Sequence, residues 1–153
     1  IATSKQDDAE MMERIEKHQL RRKKSAVDWI TWEVPSRINR IEKRIEKGAV
    51  ILLDCLTTWL NNELFADVDH LPEDEQRKKI KDSIVQTLTR LQEDRTLIVV
   101  SNEVFNDILP DHRSTMAYVE MLGTLHQTLV AMAEKAYLCE NGVPVLMKGE
   151  TVC

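Results

Sequence analysis

The sequence predicts an α/β fold: a mostly parallel sheet with helices on both faces, ending in an antiparallel hairpin. Three observations carry that expectation. Two uninterrupted apolar runs of strand length, Ala49-Val-Ile-Leu-Leu and Leu97-Ile-Val-Val, each pass straight into polar residues. Runs of this kind read as strands buried on both faces, as in a parallel sheet. The segments around them carry apolar residues at helical spacing, so strands and helices alternate along the chain. Near the carboxyl end, Asn141-Gly142 stands between two β-prone segments and supplies the left-handed backbone that a tight hairpin turn needs.

Residues 1–4 read as the end of a strand passing into a loop of small hydroxyl side chains. Asp7 or Asp8 supplies an acceptor for the free N–H groups of a following helix. Met11, Ile15 and His18 fall at i, i+4 and i+7 and share one face of that helix. His18 comes just before the basic run Arg21-Arg22-Lys23-Lys24, near the negative end of the helix dipole, which favours a protonated imidazole. Residues 29–33 read as a short strand ended by Pro35. A helix then begins at Pro35 or Ser36, with Ile38, Ile41 and Ile45 as its apolar stripe and Gly48 as its left-handed cap. The strand over 49–53 follows, then a helix over 56–65 and a polar linker over 67–73 containing Pro72. A long helix over 73–92 carries Ile80, Ile84, Leu88 and Leu91 on one side. The second buried strand, 96–101, ends at Asn102 and Glu103, and a loop through Pro110 leads to a helix over 114–134. A strand over 136–139 turns back antiparallel over 143–147 at the sheet edge.

Polar residues therefore gather at the carboxyl ends of three strands: Thr3 with Ser4, Asp54, and Asn102 with Glu103. In open α/β sheets this is where ligands bind. An aspartate at such a position can hold Mg²⁺ directly or through water, because Mg²⁺ takes hard oxygen ligands and keeps part of its hydration shell.

The 153 residues suit one α/β domain spanning 1–153 with a sizeable core. A net charge of −5 is the wrong sign for an electrostatic nucleic-acid binder. The basic run at 21–24 is local, readable as a solvated loop or as a phosphate contact. No apolar segment is long enough to cross a membrane. Cys55, Cys139 and Cys153 are far apart and form no CxxC pair, which fits a reduced cytoplasmic protein and neither a disulfide framework nor a zinc site. His70 and His112, in polar loops flanked by proline, read as surface residues. The tryptophans read as core or interface residues, and the Trp59 helix is a candidate oligomer contact.

Several blocks, in order, carry a family resemblance. They are Ile1-Ala-Thr-Ser4, the Arg14-Ile15-x-x-His18 segment with Asp8 and Glu10, Trp32-Glu33, and Leu52-Leu53-Asp54-Cys55-Leu56-Thr57-Thr58-Trp59-Leu60-x-Asn62. Val100-Ser101-Asn102-Glu103-Val104, Ile108-x-Pro110, Gly123-x-x-x-Gln127 and Gly142-Val-Pro-Val-x-x-Lys148-Gly149 complete the set. Across nearly its whole length the chain resembles the bifunctional adenosylcobinamide kinase / adenosylcobinamide-phosphate guanylyltransferase family of cobalamin biosynthesis. The resemblance implies a RecA-like fold of the P-loop NTPase type and two reactions. A nucleotide, ATP or GTP, phosphorylates the aminopropanol hydroxyl of adenosylcobinamide. GTP then gives GMP to that phosphate through a guanylylated histidine, releasing pyrophosphate. By place in its motif that histidine is His18. Thr3, Ser4, Lys5, Gln19, Leu20, Arg21, Arg22, Glu33 and Asp54 match nucleotide-site positions, with Asp54 beside Mg²⁺ and the basic residues after His18, including Lys23, placed to neutralise phosphate charge. The family also implies a homo-oligomer, a trimer.

The chain departs from the family pattern at three places. The Gly-rich phosphate loop ending Gly-Lys-Ser has its place upstream of Ile1, and the protein is expected to begin there. Where the family has a Gly-x-Gly turn after Asn102-Glu103-Val104, this chain has Phe105 and Asp107. Where the family has an arginine and an asparagine around the later helix, this chain has Val119 and His126. A second expectation follows from these departures, a relative that keeps the fold and nucleotide binding without turnover.

Overall fold

The computed structural model describes residues 1–5, 9–66, 72–105 and 112–150. The two apolar runs form strands β1 (Val50–Asp54) and β2 (Thr96–Val100), paired parallel from Val50↔Thr96 to Asp54↔Val100. Helix α2 (Leu56–Leu64) leaves β1 almost at once, and α3 (Asp74–Gln92) brings the chain back to the start of β2. Residues 1–3 lie along the other edge of β1. The Asp54 N–H donates to the Ile1 carbonyl (2.9 Å) and the Thr3 N–H to the Asp54 carbonyl (3.0 Å). On their far side Ala2 pairs with residues 32–34, its N–H donating to Trp32 (2.8 Å) and its carbonyl accepting from Val34 (2.9 Å). The rows run 32–34, 1–3, β1, β2, all parallel. Helix α1 (Ala9–Lys23) connects the first two rows, and α4 (Arg113–Met132) follows β2. Strands β3 (Ala136–Glu140) and β4 (Val143–Lys148) close the chain as an antiparallel hairpin, a separate two-stranded sheet. Asn141 and Gly142 both take positive φ (51° and 81°), as the predicted turn requires. The α/β class, a parallel sheet flanked by helices with a terminal antiparallel hairpin, is the one the sequence predicted.

Helices α2, α3 and α4 pack on each other and on one side of the sheet. Ile51 and Leu53 of β1 join Leu56, Leu60, Leu64, Ile84, Leu88, Leu91, Leu122 and Leu125 in a single core. Burial on the strands alternates: Val50 is 62% exposed, Ile98 48% and Val100 39% on the opposite face. The unbroken apolar runs predicted burial on both faces; among the described residues one face is covered, by those three helices.

Two further expectations are corrected. Residues 29–33 do not form a strand; only Glu33 pairs, in a single bridge to Ala2, and Ile30 is 82% exposed. Among the described residues, the segment finds a row to pair with only from Trp32 on, at residues 1–3. The helix expected from Pro35 or Ser36 is instead two 3₁₀ turns, Ile38–Arg40 and Glu42–Arg44. Arg37 enters the first with φ 55°, and the Ile41 N–H returns to Ile38, an i→i+3 bond. Arg95 fastens the exit of the segment, its guanidinium donating to the carbonyls of Glu42 (3.4 Å), Ile45 (2.8 Å) and Glu46 (3.1 Å). Ile38 and Ile41 still reach the core, and Gly48 closes the segment at φ 78° with its N–H on the Asp94 carbonyl (2.7 Å). The cap expected of Asp7 or Asp8 lies outside the described residues, as do His70, residues 67–71 of the expected linker and Cys153. Helix α3 begins with a capping box, the Glu73 N–H on Gln76 Oε1 (3.2 Å). The Trp59 ring is 2% exposed, with its Nε1 on Glu63 Oε1 (2.9 Å), so it belongs to this chain's own core.

Candidate functional site

The carboxyl ends of the central rows are tied together by one small side chain. Thr3 is fully buried; its hydroxyl accepts from the Cys55 N–H (2.9 Å) and lies 2.9 Å from the Cys55 carbonyl and 3.2 Å from that of Asp54. Asn62, 4% exposed on α2, donates from Nδ2 to the carbonyls of Thr3 (2.8 Å) and Pro35 (2.9 Å). The Thr3 side chain is thus engaged with the backbone around Asp54. Asp54 itself is exposed, and among the described residues its carboxylate has no hydrogen-bond partner. Ser4 and Lys5 follow Thr3, both half-buried.

On the α4 side, Thr57 receives the Asn102 N–H on its hydroxyl (3.4 Å) and the Tyr118 phenol on its carbonyl (3.1 Å). Burial, and next the nearby Cys55, push the Tyr118 pKa up to about 12, so the phenol stays a donor at any ordinary pH. An exposed carboxylate at a strand end could hold a Mg²⁺ ion that keeps part of its water shell. No group of three His, Cys, Asp or Glu among the described residues offers a protein-only cage.

A second feature opens at the other side of the sheet. The end of α1 and the segment 25–33 enclose a cleft of about 440 Å³, lined by Gln19, Arg22 and Lys23 from the helix and by Trp29, Thr31 and Glu33 from the segment. Gln19 Nε2 donates to Glu33 Oε1 at 2.6 Å across it. Ser25 folds the segment back, accepting from the Val27 N–H (3.0 Å) and the Trp29 indole (3.3 Å). Because Glu33 pairs with Ala2 and Ala2 with Asp54, the cleft adjoins the strand-end crevice, with Glu33 and Asp54 two rows apart, about 10 Å.

The structure thus gathers Gln19, Arg22 and Glu33 around one cleft, and Thr3 with Asp54 at the strand ends beside it. His18 is exposed on α1, one residue before Gln19 and one turn before Arg22; it does not line the cleft. The helix continues to Lys23, so the basic run forms its last turn and His18 lies farther from the helix end than its spacing suggested. Leu20 (54%) and Arg21 are exposed, outside the cleft lining.

Sequence reading missed two contributors. Trp29 lines the cleft, where the residue pattern suggested only a strand. His112 is exposed, as expected of a surface residue, and caps α4: its Nδ1 accepts from the Ser114 N–H at 3.4 Å. His126, noted only as a departure, lies 2.7 Å through Nε2 from the Ser101 hydroxyl at the end of β2. No local signal could reveal that pair, since its members are 25 residues apart.

Comparison with known proteins bears on this geometry. The family model described as cobinamide kinase / cobinamide phosphate guanyltransferase (CobU) matches residues 1–147. The bifunctional adenosylcobalamin biosynthesis protein CobP of Pseudomonas aeruginosa is 32% identical over 151 residues, covering 98% of this chain and 82% of that protein. The bifunctional adenosylcobalamin biosynthesis protein CobU of Escherichia coli K12 is 30% identical over 155 residues, 97% of this chain and 84% of that protein. Its Salmonella typhimurium LT2 counterpart is 30% identical with the same coverage. The parallel sheet with flanking helices fits a P-loop NTPase-type α/β fold, and among the described residues no helix is long and apolar enough to cross a membrane.

Proposed function

The chain belongs to the cobinamide kinase / cobinamide phosphate guanyltransferase family, and from that premise we propose that it acts, as one α/β nucleotide-binding domain, in both reactions of cobalamin biosynthesis that the family name describes. The observation that carries the reading is the polar, partly basic cleft one turn along α1 from His18, opening beside Asp54. In the transferase reaction an imidazole nitrogen of His18 attacks the α-phosphorus of GTP, a P–N bond forms, and the bond to pyrophosphate breaks. An oxygen of adenosylcobinamide phosphate then attacks the same phosphorus, the P–N bond breaks, and adenosylcobinamide-GDP leaves. Splitting one displacement in two is the advantage of a nucleophile that is also a good leaving group. Arg22 and Lys23, with Arg21 nearby, offset the charge on the phosphates. Gln19 and Glu33 orient the nucleoside end by hydrogen bonds. In the kinase reaction ATP or GTP phosphorylates the aminopropanol hydroxyl of adenosylcobinamide. Asp54 would hold Mg²⁺ there, and the ion supplies charge neutralisation for the transferred phosphoryl group. Ser4 and Lys5, leaving the same strand end, are assigned to the nucleotide phosphates. The protein is expected to work in the cytoplasm as a homo-oligomer.

The test is covalent labelling with GTP carrying a labelled α-phosphate. The parent protein should retain label that is lost in mild acid and kept in alkali, as a phosphoramidate behaves, and a His18→Ala variant should retain none. Label on both proteins would remove His18 from the role. No label on either would favour a relative that keeps the fold without turnover.

A further inference from the structure

Phe105 and His126 are 21 residues apart in the sequence, yet they touch. Their rings meet edge to face, with centroids 5.6 Å apart and planes at 79°. Such a contact contributes beyond the area it buries. The same imidazole reaches Ser101 Oγ through Nε2 at 2.7 Å. Gly123, one helical turn before His126, lies beside the same ring: a Cβ there would meet Phe105 Cε1 at 3.6 Å, an ordinary contact. Glu103 completes the turn by accepting the Phe105 N–H on Oε1 (2.6 Å). One side chain of α4 therefore holds both ends of residues 101–105, the segment by which the chain leaves β2.

That segment has a defined place in the molecule. The sheet rows run 32–34, 1–3, β1, β2, with the Gln19–Arg22–Glu33 cleft at the first row and Ser101 at the end of the last. Asp54 lies between them. We propose that Ser101, Phe105 and His126 form a latch fixing Asn102 and Glu103 on the side of the crevice away from the nucleotide cleft, where the acceptor must enter. His126 is a positioning residue, acting through Ser101 and Phe105. The assignment of that side to the acceptor rests on the functional reading above; the latch itself does not.

The experiment has a ligand-free arm and a ligand arm, each using the parent, Phe105→Ala, His126→Ala and the double variant, with His126→Asn as a conservative check. Without ligand, backbone amide NMR should show the resonances of Asn102, Glu103 and Val104 displaced alike in both single variants, while those of the β3–β4 hairpin stay in place. His126→Asn, which can still bond Ser101, should displace Asn102 less than His126→Ala does. Unmoved 102–104 amides, or displacement spread over the whole molecule, would overturn the latch.

With ligand, affinities for adenosylcobinamide phosphate and for GTP are measured separately. Each single variant should weaken the acceptor about fivefold, and the double variant no further, as expected of residues that act as a unit. GTP affinity should stay within about twofold of the parent, the range in which distant, independent sites act. Equal losses for both ligands, additive losses, or no loss for either would overturn the acceptor assignment. Variants that shift the 102–104 amides as expected, alongside a parent that binds neither ligand, would overturn that assignment too, together with the functional reading, and leave the latch standing.

Discussion

At the scale of single residues, the site is built by small buried groups that hold larger exposed ones. Thr3 and Asn62 have no solvent-facing role. They hold the backbone of Asp54, Cys55 and Pro35 by short hydrogen bonds, and the exposed carboxylate of Asp54 inherits that order. His126 is a comparable case with a titratable group. Burial lowers its pKa from the ordinary 6.5, and nearby Glu103 offsets part of that effect. The folded state therefore prefers the neutral imidazole. Its contribution to stability is fully present above pH 6.5 and is lost as pH falls through the lower folded value. Thermal unfolding of the parent and His126→Asn between pH 5 and 8 should show the parent's relative stability decline toward the acid end. A difference that does not change with pH would contradict this.

At the scale of elements, the segment between Pro35 and Gly48 shows a side chain from elsewhere fastening a local fold. The spacing of Ile38, Ile41 and Ile45 is compatible with an α-helix, and the segment buries Ile38 and Ile41 as such a helix would. It forms two 3₁₀ turns instead, and Arg95, just before β2, donates from its guanidinium to the carbonyls of Glu42, Ile45 and Glu46 at their exit. Arg95→Ala should lower stability by about 2 kcal/mol, the order expected for hydrogen bonds to a charged donor. Urea unfolding would measure it, and a loss within error of zero would mean that water replaces the guanidinium freely. In contrast, α2, α3, α4 and both strands of the parallel pair came within two residues of their expected bounds, because each carries its own apolar period and end signals.

At the scale of the molecule, one core joins the sheet, three helices and the 3₁₀ turns, so the strand-end crevice rests on the same packing that gives the domain its stability. Leu122, fully buried on α4 within that core, is a direct probe. Leu122→Ala should cost about 3 kcal/mol, from lost burial and the cavity left behind. It should do so without abolishing the covalent GTP labelling proposed above, at temperatures where the variant is folded. Loss of labelling in a folded variant would show that core packing at α4 reaches the α1 cleft.

The sequence by itself determined the α/β class, the two central strands, the long helices, the hairpin turn and the clustering of Thr3, Asp54 and Asn102 at strand ends. Each of these is written in local spacing or in a residue type with one conformational preference, and the family blocks are read the same way. Tertiary structure alone decided which face of the strands is covered, that 35–47 is 3₁₀ and not α-helical, and that Gln19 meets Glu33 across a cleft containing Trp29. It also decided that Ser101, Phe105 and His126 come together. These are contacts between groups far apart in the chain, and no periodicity encodes which distant carbonyl, ring or hydroxyl a side chain will meet once the core has formed.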